Sequence, residues 1–233
     1  MIISASRRCD IPTYYSEWFS RRIREGFVLV RNPFNFHQLS RISLRPDVVD
    51  GIVLWTKNPA PMMGRLDELK NYTYYFQFTV TPYGTDIEPN IPSKEQFIIP
   101  TFQNLSQKIG KERMIWRYDP VILSEKYTFE YHIEHFEKFT RQLAPYARKC
   151  TFSFLDMYKN TAKNVRGLNI HPISAEEMFK LAKKFSEIAT AYQLELSTCA
   201  ENIDLSELNI SHARCVDKTI FEELGGYGLN IDK

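Results

Sequence analysis

The chain has 233 residues, 43% of them hydrophobic and 14% aromatic, with 30 basic against 28 acidic side chains and a formal net charge of +2. Such a composition suits a globular protein with a sizeable core and argues against a general nucleic-acid binder. No apolar run approaches the ~18 residues that span a bilayer, and the start, MIISASRRCD, lacks the basic-then-apolar order of a signal peptide, so a cytoplasmic protein without a membrane partner is expected.

Apolar runs alternate with helical patterns along the chain. IISASRRCDIP precedes YYSEWFSRRIRE, GIVLWTKNP precedes APMMGRLDELK, and YYFQFTVTP is followed by SKEQFIIPTFQNLSQKI. RMIWRYDP then precedes EYHIEHFEKFTRQL, CTFSFLDMY precedes SAEEMFKLAKKFSEIATAY, and LELSTCAE leads into an irregular C-terminal portion. Segments 27–31 and 39–43 read as an added extended excursion. Pro100 is expected to break or kink the third helix. Phe129, Ile133, Phe136 and Leu143 keep a helical stripe, as do Met178, Leu181, Phe185, Ile188 and Tyr192. Ser93 with Gln96, and Ser174 with Glu177, have capping-box spacing. This alternation predicts an α/β fold of parallel strands, a partial or complete TIM-like (β/α) barrel of about six βα units forming one domain over 1–233. A doubly wound open sheet is the alternative.

Charge is unevenly spread. Residues 1–45 hold eight arginines, no lysine and three acids, whereas 201–233 hold seven acids and three basic residues. A basic patch near the start suits phosphate or a carboxylate. A solvated helix face is the plainer reading for Arg21, Arg22 and Arg24.

Successive strand side chains point to opposite faces. Ile115, Arg117 and Asp119 therefore share one face of RMIWRYDP, and Met114, Trp116 and Tyr118 the other. The same split sets Gln77 and Thr79 against Phe76, Phe78 and Val80. It sets Ser153 against Phe152 and Phe154, and Glu195, Ser197 and Cys199 against Leu194 and Leu196. Ordinary (β/α) barrels fill their interior with branched apolar residues. A polar inner face is thus either a self-satisfied network, with Arg117 and Glu195 neutralising each other, or a cavity in which Arg117 grips an anionic ligand.

Strand ends are where α/β folds bind ligands. Those ends supply Arg7, Arg8, Asp10, Lys57 and Asn58 as substrate-binding candidates, together with His37 in the loop NPFNFHQLSR. Asp119 and Asp156 are candidate general bases, although strand-end carboxylates also cap helices. Cys9, beside two arginines, is a candidate reactive thiol, with a tolerated small residue as the plainer reading. HIEH (His132 and His135) reads as a solvent-facing helix surface rather than a metal site, because no third ligand is apparent. There is no P-loop, G-x-G-x-x-G, G-x-S-x-G or H-E-x-x-H. The four cysteines, Cys9, Cys150, Cys199 and Cys215, read as reduced thiols.

ISASRRCDIP, FVLVRNPFNFHQLSRISL, VVDGIVLWTKNPAP, YYFQFTVTPYGTDIEPNIPSK, RMIWRYDPVILSEKYT and TCAENIDL with ARCVDK run in order over nearly the whole chain. Together they resemble the bacterial family called domain of unknown function 1848. Members of that family resemble radical S-adenosylmethionine (SAM) proteins, ending in a C-x-x-x-C-x-x-C string whose three thiolates would hold a [4Fe–4S] cluster. The resemblance implies an enzyme using that cluster, SAM and a reductant on a small-molecule or macromolecular substrate. Arg117, Glu195, Gln77, Thr79, Ser153 and Ser197 would orient the polar ligands.

Two departures stand out. This sequence stops at GGYGLNIDK, before the cysteine-rich tail, and it has Cys9 where the family pattern reads threonine. Cys199 and Cys215, aligned with the family's C-A-E and C-x-D strings, are candidate ligands of an auxiliary iron–sulfur site, or else buried thiols packing as small hydrophobes. A barrel enzyme doing acid–base or phosphate-ester chemistry without a cluster, and a binding module touching nucleic acid, are the competing expectations.

Overall fold

A computed structural model describes residues 1–5, 9–32, 34–155, 169–170, 172–199, 201 and 203–225. The fold is mixed α/β, with seven parallel strands and a separate hairpin, and it divides into two compact units. The first combines residues 1–78 with the C-terminal segment from Val216; the second runs from Thr79 to Cys215.

In the first unit, β1 (Ile2–Ala5) pairs in parallel with β4 (Gly51–Thr56), which pairs in parallel with β5 (Tyr74–Thr79). The run GIVLWT is apolar without alternation because β4 is covered on both faces, and Ile52, Val53 and Leu54 are wholly buried. Helices α1 (Ile11–Tyr14) and α2 (Ser16–Glu25) follow β1; Gly26, in the left-handed region at φ 75°, ends α2 with its N–H donating to Arg22 O. Segments 27–31 and 39–43 form the expected excursion, an antiparallel hairpin of β2 (Phe27–Arg31) and β3 (Leu39–Ser43). The segment APMMGRLDEL is a 3₁₀ helix rather than the α-helix its pattern suggested.

The C-terminal helix α6 (Lys218–Glu223) closes this unit. Its Phe221 ring lies 5.0 Å from that of Tyr75, and the Asp217 N–H donates to Tyr75 Oη at 3.0 Å. A Cβ at Gly51 would lie 2.2 Å from the Phe221 ring, which is fully buried and has nowhere to move. Gly51→Ala should therefore destabilise the protein by about 1–3 kcal/mol through overpacking. Urea unfolding that matches the wild type would show that α6 does not dock as described.

The second unit contains β6 (Met114–Val121), β7 (Lys149–Phe154), β8 (Glu195–Thr198) and the short β9 (Ser211–His212), paired in parallel in that order. At Pro100 the helical hydrogen-bond pattern changes rather than stops: a π-type turn at Lys94–Ile98 runs directly into α3 (Ile99–Ile109), and the proline falls in the first turn of α3. Helices α4 (Phe129–Leu143) and α5 (Ala175–Ala191) cover the aromatic face of the strands. Phe136 stacks on Trp116 at 5.3 Å and on Phe185 at 4.0 Å, and Tyr118 and Phe152 each meet Phe185 edge-on. Ser174 and Glu177 form the full capping box of α5. Ser93 accepts from the Gln96 N–H in half of such a box.

The stripe of α4 differs from the expected one. Its buried positions are His132, Phe136, Phe139, Thr140 and Leu143, while Phe129 and Ile133 are only half-buried. His132 is not on a solvent face at all. Its Nε2 lies 2.9 Å from Ile122 O and its Nδ1 2.8 Å from Tyr118 Oη. A carbonyl only accepts, so Nε2 carries the proton and Tyr118 donates to Nδ1. Burial pushes the His132 pKa down to about 4, only partly opposed by the Ile122 hydrogen bond.

Pairing runs β1–β4–β5 in one unit and β6–β7–β8–β9 in the other. The expectation of parallel strands holds, but among the described residues a complete, closed barrel is not observed. Nor does any described helix have the length and apolarity to cross a membrane.

Candidate functional site

The charged end of β6 is built by a bulge. Ile115 to Tyr118 pair residue by residue with Lys149 to Phe152, and then the register shifts so that Val121 meets Phe154. Asp119 and Pro120, joined by a cis peptide bond, together oppose Ser153. A proline, which has no N–H for the ladder, is tolerated in a central strand at such a bulge.

The alternation expected of β6 is present. Trp116 and Tyr118 point to the helices, while Arg117 and Asp119 point to the opposite face. Parallel register carries that face sideways: Arg117 aligns with Thr151 and Ser197, and Thr151 Oγ1 lies 2.9 Å from Ser197 Oγ. One step along, Ser153 donates to Asp119 Oδ1, while Asp119 Oδ2 accepts from Arg117 Nε at 3.1 Å and from Nη2. Arg117 is 4% exposed and Asp119 25%, so the pair runs from the interior to an accessible edge.

The two cysteines lie at the same end. Cys199 Sγ and Cys215 Sγ are 3.6 Å apart, too far for a disulfide and close to the roughly 3.8 Å kept by two thiolates on one tetrahedral ion with ~2.3 Å bonds. Burial alone would lower the Arg117 pKa; the Asp119 carboxylate, helped by the neighbouring Cys199, instead holds it raised. The Cys215 thiol is pushed up by burial and by Cys199, with Arg117 pulling the other way. Glu201 closes the end of β7, accepting from the Phe154 N–H at 2.7 Å.

Among the predicted residues, Arg117, Asp119, Ser153, Ser197, Cys199 and Cys215 thus share one face of the second unit. Thr151 belongs with them and was missed, although it is two residues before Ser153 on the same alternation. Glu195 does not join them: it is exposed at the opposite, N-terminal end of β8. Arg117 therefore takes Asp119, not Glu195, as its partner. Thr79 is half-buried at the end of β5.

In the first unit, Gln77 is buried in β5. Asp10 is an anchor: Oδ1 caps α1 by accepting from the Thr13 N–H at 2.9 Å, and Oδ2 accepts from Thr56 Oγ1 and the Lys57 N–H. Asn58 makes a local side-chain turn just before the 3₁₀ helix, its Oδ1 accepting from the Ala60 N–H at 3.2 Å. Cys9 is exposed, and His37 sits exposed in the hairpin loop beside Phe36. Arg7, Arg8 and Asp156 lie outside the described residues.

A three-thiolate cluster does not fit these residues. Cys199 and Cys215 supply two thiols. Cys150 shares the register row of Trp116, on the helix-covered face, where burial pushes its thiol pKa well up. Among the described residues no group of three or more His, Cys, Asp or Glu is placed to hold a metal. No curated protein and no solved structure matches the chain. The family model described as domain of unknown function 1848 matches residues 2–233, and the chain belongs to that family.

Proposed function

We propose that the polar face of β6, β7 and β8 is the ligand-holding site of an enzyme of the radical SAM kind, built as a partial (β/α) barrel. The observation that supports this most is the clustering of an arginine, a carboxylate, three hydroxyls and two close thiols at one end of parallel strands, where α/β enzymes hold their ligands. Arg117 is the group for a carboxylate such as that of the SAM methionyl portion, because its planar fork suits bidentate contact. Asp119 and Ser153 fix the arginine in place. Both Asp119 oxygens are engaged, which makes it an orienting group rather than a free base.

Cys199 and Cys215 would act as a two-thiolate metal site beside the ligand. The three-thiolate string implied by the family resemblance is absent from this sequence, so no cluster chemistry is assigned to these cysteines. A cobalt(II) titration under nitrogen tests the pair. A thiolate-to-cobalt absorption band should appear in the wild type and vanish in Cys199→Ser and in Cys215→Ser, while Cys9→Ser keeps it. A band that persists in both variants, or never appears, would remove the thiols from the site. The competing acid–base reading would then gain ground, especially if an activity were found that survives air and chelation.

A further inference from the structure

The first unit carries a second concentration of chemistry. Eleven large hydrophobic side chains are exposed among the described residues, and ten of them lie between Met1 and Val48. An ordinary surface scatters such residues singly. Three of them, Tyr14, Tyr15 and Trp18, line an open concavity of about 590 Å³ at the start of α2, together with Arg21, Arg65 and Glu17. Arg21 and Glu17 are 3.8 Å apart and both well exposed, an ion pair too loose and too wet to hold the guanidinium.

The same pairing of arginine with aromatic surface continues beyond the concavity. Trp18 also lines a groove with Val28, Val30 and Ile42, which leads onto the β2–β3 hairpin. There Arg31 sits over the Phe36 ring at 4.1 Å and Arg41 over Phe27 at 4.3 Å. Residues 26–46 contain three arginines and no acid. Phe34, at the hairpin tip, is 98% exposed.

We infer that Tyr14, Tyr15 and Trp18 with Arg21 and Arg65 form a binding site for single-stranded nucleic acid. A ligand that stacks on exposed rings while answering cations must be flat and anionic, and a chain of nucleotides repeats both features along its length. A duplex keeps its bases stacked on one another and offers no free ring face. The small net charge of the whole chain does not oppose this, because residues 1–45 hold eight arginines against three acids. The site belongs to the first unit and the thiol-bearing face to the second, and neither reading depends on the other.

Fluorescence anisotropy with a labelled oligothymidylate about 12 nucleotides long, within the span such sites cover, is the test. Saturable binding is expected, weakening as salt rises. Tyr15→Ala and Trp18→Ala should each reduce affinity by roughly 5- to 100-fold, as the loss of one stacked base does. Arg21→Ala with Arg65→Ala should lower the salt slope by about one to two. Because Tyr15 and Arg21 are exposed, Tyr15→Ala and Arg21→Ala leave the core intact, and circular dichroism checks the fold of every variant. No saturable binding, equal affinity for a hairpin duplex, equal competition by thymidine monophosphate, or folded variants that bind like the wild type would each overturn the site.

Discussion

Lowering the pH from about 7 to about 4 should cost the protein about 3 kcal/mol of stability through His132 alone. The unfolded chain takes up the proton near the ordinary histidine pKa of about 6.5, whereas the folded state resists it down to about 4. Between those values the unfolded state binds more protons, so stability falls as the pH falls, and the loss is complete below the lower one. Protonation would place a second N–H on Nδ1, which now accepts from Tyr118, with both His132 and Tyr118 fully buried. Urea unfolding of the wild type and of His132→Gln across this range isolates the effect. The variant should be less stable at neutral pH and should lose about 3 kcal/mol less on acidification. Parallel curves would mean that His132 is not held neutral by burial.

Removing the guanidinium of Arg117 should be as costly. Arg117→Leu leaves Asp119 beside a buried apolar residue without its counter-charge, and breaking a buried pair from one side typically costs about 3–5 kcal/mol. The figure belongs toward the lower end here, since Asp119 is 25% exposed and keeps the Ser153 hydroxyl. Changing both partners, Arg117→Leu with Asp119→Leu, should recover a large part of that loss because no charge is then stranded. A double variant as unstable as the sum of the single ones would show that the two side chains are not coupled.

How much of this could be read from residues alone follows from the range of the forces involved. The period-two split of RMIWRYDP is local, and it placed Arg117 and Asp119 on the face away from Trp116 and Tyr118, as observed. The hairpin over 27–43, the capping box at Ser174 and the first-turn proline at Pro100 are local too. His132 was misread because its partners, Tyr118 Oη and Ile122 O, come from β6 and the chain just after it; a polar side chain is buried only when such distant groups satisfy it. Glu195 was misplaced because alternation fixes a face but not a depth. It shares the parity of Ser197, yet it begins the strand and meets solvent. Barrel closure depends on pairing between strands far apart in sequence, which alternation does not encode. Cys199 and Cys215 stand 16 residues apart with β9 between them; alternation put Cys199 on the polar face, but only the family resemblance joined it to Cys215.

The most direct measurement is calorimetric titration of SAM into the wild-type protein and into Ser153→Ala, a half-buried substitution that removes one hydrogen bond to Asp119 and leaves the core packed. The polar face of the second unit predicts saturable binding to the wild type, weakened by several-fold when Ser153 no longer steadies the Asp119–Arg117 pair. Absence of binding, or a variant that takes up SAM as tightly as the wild type, would contradict the assignment of that face as the ligand site.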